Sequence, residues 1–138
     1  IILQVATTTD TAKNAGNSIL YECVRTIMRL DSENSLKLMA VSILGRFLLH
    51  RDNNMRYVAL TTLGRIVSTN ATIVQRHTAT IVKCLKDPDP SIRTRAVELI
   101  FHLVKKSNAR SLVTELLNYL VVASAEQKRN LCSDILQV

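Results

Sequence analysis

The chain is short of the residues that punctuate β-structure and of those that stack on nucleic-acid bases. Its 138 residues include 3 Gly, 2 Pro and no Trp, with only 3 Tyr and 2 Phe. Tight hairpins and Greek-key connections draw on Gly and Pro clusters, so their scarcity argues against a β-rich fold and for an all-α one. No Gly-rich loop is present to cradle a phosphate, because Gly16, Gly45 and Gly64 stand alone. His50, His77 and His102 fall in different predicted helices, with no His-x-x-x-His or Glu-x-x-His pair to hold a metal. Cys23, Cys84 and Cys132 are odd in number, far apart and set among apolar neighbours. That is neither zinc spacing nor a disulfide framework, and buried thiols in a reducing cytosol are expected. There is no Gly-x-Ser-x-Gly elbow and no evident Cys–His pair. No apolar run approaches the roughly 18 residues of a membrane span, and no charged-then-apolar leader opens the sequence. The expectation is a protein that is not an enzyme and uses no cofactor or metal.

What is present is a repeat. Asp52-Asn-Asn-Met-Arg56-Tyr-Val-Ala59-Leu-Thr-Thr-Leu63 aligns without a gap on Asp89-Pro-Ser-Ile-Arg93-Thr-Arg-Ala96-Val-Glu-Leu-Ile100, at an offset of 37 residues. A period of that length is one two-helix unit, which predicts an α-solenoid of stacked HEAT or armadillo-like hairpins. Hydrophobic content of 47% suits a folded chain. Apolar residues recur at helical spacing at Ile19, Leu20, Cys23, Val24, Ile27 and Met28, then at Leu36, Met39, Ala40, Ile43, Leu44, Phe47 and Leu48. Later stripes run through Met55 to Val67, Ile73 to Leu85, Ile92 to Val104, and Leu112, Val113, Leu116, Leu117, Leu120 and Val121. Seven or eight helices with short connections follow, so neighbours pack antiparallel. Asp10, Asp31 or Ser32, Asp52 and Asp89 are predicted N-caps, Pro90 takes the first helical position, and Ser124-Ala-Glu-Gln127 has capping-box spacing. A loop is expected at Ser68-Thr-Asn-Ala71, and a helix running to Lys106 would end on two lysines beside its negative dipole end. Both chain ends are apolar, which reads as residues 1–138 forming a single solenoid segment from inside a longer protein.

The repeated acid–base pair has a structural rationale. An aspartate at the N-cap satisfies orphan amides, and the arginine four residues on shares its face. Arg56 is expected to reach Asp52 and the neighbouring hairpin's acid, forming a ladder whose exposed rungs each contribute ~0.3–1 kcal/mol. Glu33 and Lys37 repeat the spacing one helix earlier. Gly45-Arg46 and Gly64-Arg65 align with each other at the same 19-residue step, with the glycines expected to let adjacent helices approach closely. Eighteen Lys and Arg against eleven Asp and Glu give +7, but the basic residues scatter from Lys13 to Arg129 in runs of at most two. Without interleaved aromatics this argues against nucleic acid and for solvated helix faces plus an intersubunit surface.

Five strings carry a family resemblance: Asn17-Ser-Ile-Leu-Tyr-Glu-Cys-Val24, Ile43-Leu-Gly-Arg-Phe-Leu-Leu49, Asp52-Asn-Asn-Met-Arg-Tyr-Val-Ala-Leu60, Val74-Gln-Arg-His77 and Thr80-Ile-Val-Lys-Cys-Leu-Lys-Asp87. They resemble the trunk of the adaptins, the large subunits of heterotetrameric clathrin adaptors, with Ile43 to Leu48 favouring the gamma type. The resemblance is dense to about Val104 and thins after Lys105. It implies a curved, right-handed solenoid that cradles a small and a medium subunit and pairs with a beta-type large subunit. It further implies vesicle-mediated protein sorting at the trans-Golgi network and endosomes, peripheral on Golgi and clathrin-coated vesicle membranes, with links to an Arf-family GTPase and the clathrin machinery. The family's cargo and lipid pockets lie toward the subunit's amino end, so no residue of theirs is carried over. Arg46 and Arg65 are the candidates for a partner- or membrane-facing surface. The alternatives are a HEAT-repeat interaction module of another transport or coat complex, or a nucleic-acid-binding solenoid.

Overall fold

A computed structural model describes residues 1–9, 14–30 and 34–136. Among these residues there are eight α-helices and no strand: α1 Ile2–Thr8, α2 Asn14–Arg29, α3 Asn34–Phe47, α4 Asn53–Val74, α5 Thr78–Lys83, α6 Pro90–Leu103, α7 Ala109–Val122 and α8 Ala125–Ile135. Short 3-10 turns at Gln75–His77 and Cys84–Lys86 flank α5. The predicted caps at Asp10, Asp31 and Ser32, and the Glu33–Lys37 pairing, fall at least partly outside the described residues.

The described caps follow the sequence. Asp52 accepts from Asn54 N at 2.8 Å, and Asp89 accepts from Ser91 N at 2.9 Å with Pro90 at the first helical position. Ser124 and Gln127 close a reciprocal capping box that starts α8. The expected loop at Ser68 to Ala71 is a kink inside α4, where Asn70 leaves helical geometry with φ −150° and ψ 77°. Ser68 Oγ and Thr69 Oγ1 donate to the carbonyls of Arg65 and Ile66, supplying the local competition that bends a helix. The first part of α4 thus opens a hairpin whose return limb is the rest of α4 together with α5.

Helix α6 ends at Leu103, three residues earlier than the sequence predicts, with Val104 extended. Asn108 explains the stop. Its Nδ2 donates to Leu103 O at 3.0 Å while its Oδ1 accepts from Lys105 N at 2.6 Å. The side chain therefore satisfies one of the carbonyls orphaned at the helix end. Lys105 and Lys106 lie past the helix end, and Lys105 Nζ instead reaches Gln75 Oε1.

Packing follows chain order from α1 to α4, and α7 packs on α8. Helices α4 and α6, which carry the repeated sequence, lie against each other, while α5 also packs on α6. Equivalent residues of the repeat are therefore spatial neighbours, which is translational stacking of hairpins. Asn53 Nδ2 donates to Asp89 Oδ2 at 3.2 Å, and Arg95 donates to Tyr57 Oη while its guanidinium carbon lies 5.6 Å from the Tyr57 ring centroid. Ala59 and Ala96 occupy the same repeat position and are both fully buried, a small side chain where the stacked helices meet. One continuous core joins Leu20, Ile43, Leu44, Leu63, Ile92, Ile100 and Leu116. Burial of a side chain of this size stabilises by about 1.5–3 kcal/mol.

Three predicted inward residues face solvent: Ile19, Leu117 at 49% exposure and Val121 at 79%. Helix α7 buries Leu112, Leu116 and Tyr119. That stripe at i, i+4 and i+7 leaves Leu117 and Val121 on the far side. Tyr119 earns its place through its hydroxyl, which donates to Gln127 Oε1 at 3.3 Å.

Candidate interaction surface

The most connected polar feature is the junction between the two hairpins. Arg56 donates from Nε to Asp87 Oδ2 at 2.8 Å and from Nη2 to Asp87 Oδ1 at 3.3 Å. Its Nη1 also donates to the carbonyls of His50 at 2.7 Å and Arg51 at 2.9 Å, and Nη2 to Asn53 Oδ1 at 2.6 Å. The pair is largely buried, with side-chain exposures of 13% for Arg56 and 9% for Asp87. The ladder thus exists, but with a different acid. Asp52 and Asp89 are committed to capping, and the ion pair crosses from one hairpin to the next through Asp87.

Arg93 reproduces half of this arrangement. Its Nη1 donates to the carbonyls of Asp87 at 2.7 Å and Pro88 at 2.9 Å, the positions equivalent to His50 and Arg51. The repeat also equates His50 with Asp87. Asp52 N donates to His50 Nδ1 at 3.1 Å just as Asp89 N donates to Asp87 Oδ1 at 3.0 Å. With Nδ1 accepting, a neutral His50 carries its proton on Nε2, which lies 3.2 Å from the amide nitrogen of Asn17. Asn17 is only 2% exposed, and its Oδ1 is buried without a partner among the described residues. A half-turn of that amide, swapping its two ends, gives Nε2–H its acceptor. Each junction therefore has a side chain that receives the following cap's amide and reaches back to an earlier helix.

The two glycines differ. A Cβ on Gly45 would fall 2.4 Å from His77 Nδ1 and 2.5 Å from its Cε1, so the ring packs directly on the α3 backbone. Burial, and after it the nearby charge of Arg76, hold the His77 pKa below its ordinary value. A Cβ on Gly64 would meet nothing within 4 Å, and the close-approach reading fails there.

Arg46 and Arg65 are both exposed, in the last turn of α3 and midway along α4. Arg65 lines a shallow groove between α4 and α6 with Thr61, Gly64, Arg95, Glu98 and His102. The second cation there is Arg95, engaged with Glu98 at 2.8 Å, and His102 Nδ1 donates to Glu98 O at 2.8 Å. Arg46 does not line that groove.

Cys84 is buried, Cys23 half-buried and Cys132 exposed, correcting the expectation of three buried thiols. Burial, reinforced by Asp87 and opposed by Arg56, pushes the Cys84 thiol up to about 11, so it stays protonated. Among the described residues no group of three or more His, Cys, Asp or Glu could hold a metal ion, and no helix is long and apolar enough to cross a membrane.

Comparison with known proteins places this geometry in a family. The "Adaptin N terminal region" family pattern matches residues 3–138. The chain is 62% identical over 135 residues to the AP-1 complex subunit gamma of Dictyostelium discoideum, covering 98% of this chain and 15% of that protein. It is 50% identical over 135 residues to AP-1 complex subunit gamma-1 of Arabidopsis thaliana, covering 98% of this chain and 15% of the relative. Against the human AP-1 complex subunit gamma-like 2 the identity is 47% over 136 residues, covering 99% of this chain and 17% of the relative. The chain thus spans about one-sixth of the length of these relatives. Its stacked hairpins, paired caps and sequence identity together make it a member of the adaptin N-terminal region family.

Proposed function

We propose that the chain is a scaffold segment of a clathrin adaptor large subunit of the gamma type, working in vesicle-mediated protein transport. The observation that carries this reading is identity of 62% running through 98% of the chain against a protein named as an AP-1 complex subunit gamma. The physics is compatible with a scaffold. A solenoid held by a continuous core and a buried Arg56–Asp87 junction keeps its shape while offering long helix faces to partners.

In this reading residues 1–138 form one segment of a longer trunk. Its partners are the beta-type large, medium and small adaptor subunits, with an Arf-family GTPase and the clathrin machinery engaged by the whole complex. The assembly acts from the cytoplasm on Golgi and endosomal membranes, held peripherally. Arg46 and Arg65 are exposed cations suited to a partner or an anionic lipid surface. No catalytic role is assigned, in keeping with relatives named as adaptor-complex subunits.

Co-expression of the longer protein containing this segment with small and medium adaptor subunits tests the proposal. Stoichiometric co-purification is expected, and a large chain that elutes alone would overturn it. Reversing Arg46 and Arg65 to glutamate should weaken binding to those subunits or to anionic liposomes. Unchanged binding to both would remove these two residues from the surface.

A further inference from the structure

The return limb of the hairpin that α4 opens is basic along one side. Arg76, Lys83 and Lys86 line a groove of about 660 Å³ between α5 and α7, with Val82 and Leu112 contributing apolar lining and Ser111 on the opposite wall. A second hollow of about 420 Å³ continues it past Leu85, Asn118 and Val122, and Lys86 and Glu115 line both. Among the described residues, Arg76, Lys83 and Lys86 have no ion pair or side-chain hydrogen bond. Glu115 is the carboxylate facing them that is equally unpaired, since Asp87 is held by Arg56. The groove therefore carries a surplus of positive charge without internal compensation. The groove beside Arg65 offers less, because Arg95 there is tied to Glu98 and Tyr57.

We infer that the groove between α5 and α7 is a docking site for an extended acidic peptide of a partner protein, a role that does not depend on the adaptor reading. Arg76 and Lys86 lie in the 3-10 turns that flank α5, and ten residues of mixed 3-10 and α-helix span roughly 15–20 Å. An extended chain covers that distance in roughly five residues. Its side chains alternate, so acidic residues on one side meet the cations while apolar ones on the other settle on Ala79 and Val82. Charge complementarity selects the occupant. The wall residues of the 660 Å³ groove include no aromatic ring on which a base could stack, and the Glu115 carboxylate opposes a continuous phosphate backbone. The three cations are exposed, but they share their groove with Ser111, Leu112 and Glu115 on the facing wall, and a two-walled furrow fits a strand of peptide better than a membrane plane.

The test uses the chain with a fluorescein-labelled Glu-Leu-Glu-Leu-Asp-Leu peptide, whose acids and leucines fall on opposite sides when extended, read by anisotropy at low and physiological salt. Its Gln-Leu-Gln-Leu-Asn-Leu counterpart, a single-stranded oligonucleotide and phosphatidylserine vesicles are run alongside. The acidic peptide should bind, weaken as salt rises and lose about tenfold in affinity in the R76Q/K83Q/K86Q variant. Glu115→Gln should tighten it about twofold, a gain that no loss of folding can mimic. Equal binding of the neutral peptide, indifference to either variant, or preference for the oligonucleotide or the vesicles would overturn the assignment.

Discussion

Replacing Arg56 with alanine removes the cation that joins one hairpin to the next. The loss has three parts. Asp87 keeps its bond from Asp89 N but faces no positive charge at 9% exposure. The carbonyls of His50 and Arg51 lose charge-assisted donors. Asn53 Oδ1 loses its bond to Nη2. Breaking a buried ion pair by deleting one partner costs about 3–5 kcal/mol, a large share of the ~5–15 kcal/mol that holds a typical protein folded. Arg93→Ala is the internal control, because Arg93 donates to the equivalent carbonyls without an equivalent carboxylate. Its cost should be about 1–2 kcal/mol. Urea unfolding followed by circular dichroism separates the two cases. At a slope of ~1.5 kcal/mol per molar, Arg56→Ala should lower the midpoint by about 2–3 M and Arg93→Ala by about 1 M. Adding Asp87→Asn to Arg56→Ala relieves the unpaired charge while retaining an acceptor for Asp89 N. The cycle should show a coupling of about 1–3 kcal/mol. If Arg56→Ala costs no more than Arg93→Ala and the coupling is near zero, the junction is a solvated surface pair and the argument fails.

Further tests follow from the local geometry. Gly45→Ala should destabilise by about 1–3 kcal/mol because its methyl collides with the His77 ring. Gly64→Ala should stabilise by up to ~1 kcal/mol, since it gains helix propensity and meets nothing, and thermal unfolding distinguishes the opposite signs. In a thiol-labelling time course Cys132 should react first and Cys84 only upon unfolding, its thiol being raised to about 11. Because the folded state lowers the His77 pKa from 6.5, the unfolded chain binds the proton more tightly. That residue's stabilising term is full above about pH 6.5 and is lost as pH falls toward the lowered value. Arg76→Gln should shrink this dependence when urea midpoints are compared at several pH values, and an unchanged pH profile would refute the assignment.

The repeat was legible because its two copies use the same backbone devices: an aspartate cap, an arginine four residues on, and a small residue at Ala59 and Ala96. The capping box at Ser124 was equally plain, since it needs only local spacing. The acid that pairs with Arg56 was not. Asp87 lies two residues before the Asp89 cap, and its counterpart in the repeat is His50, so no repeated pattern marks the position. The end of α6 was misread for a related reason. Asn108 stops the helix through bonds to Leu103 and Lys105, which apolar periodicity does not register. On α7 the stripe drawn through Leu117 and Val121 was too wide, because Tyr119 takes a core position by satisfying its hydroxyl on Gln127. Of the candidate surface, the exposure of Arg46 and Arg65 was anticipated. The groove between α5 and α7 was not, as it joins residues some 30 positions apart.

The scaffold reading is tested most directly by transplanting residues 1–138 into the matching stretch of the Dictyostelium discoideum AP-1 complex subunit gamma, to which they are 62% identical. Quantitative mass spectrometry of the affinity-purified chimaera should find the other adaptor-complex subunits at the same stoichiometry as with the unaltered subunit. A chimaera that is folded and expressed yet recovers none of them would contradict it.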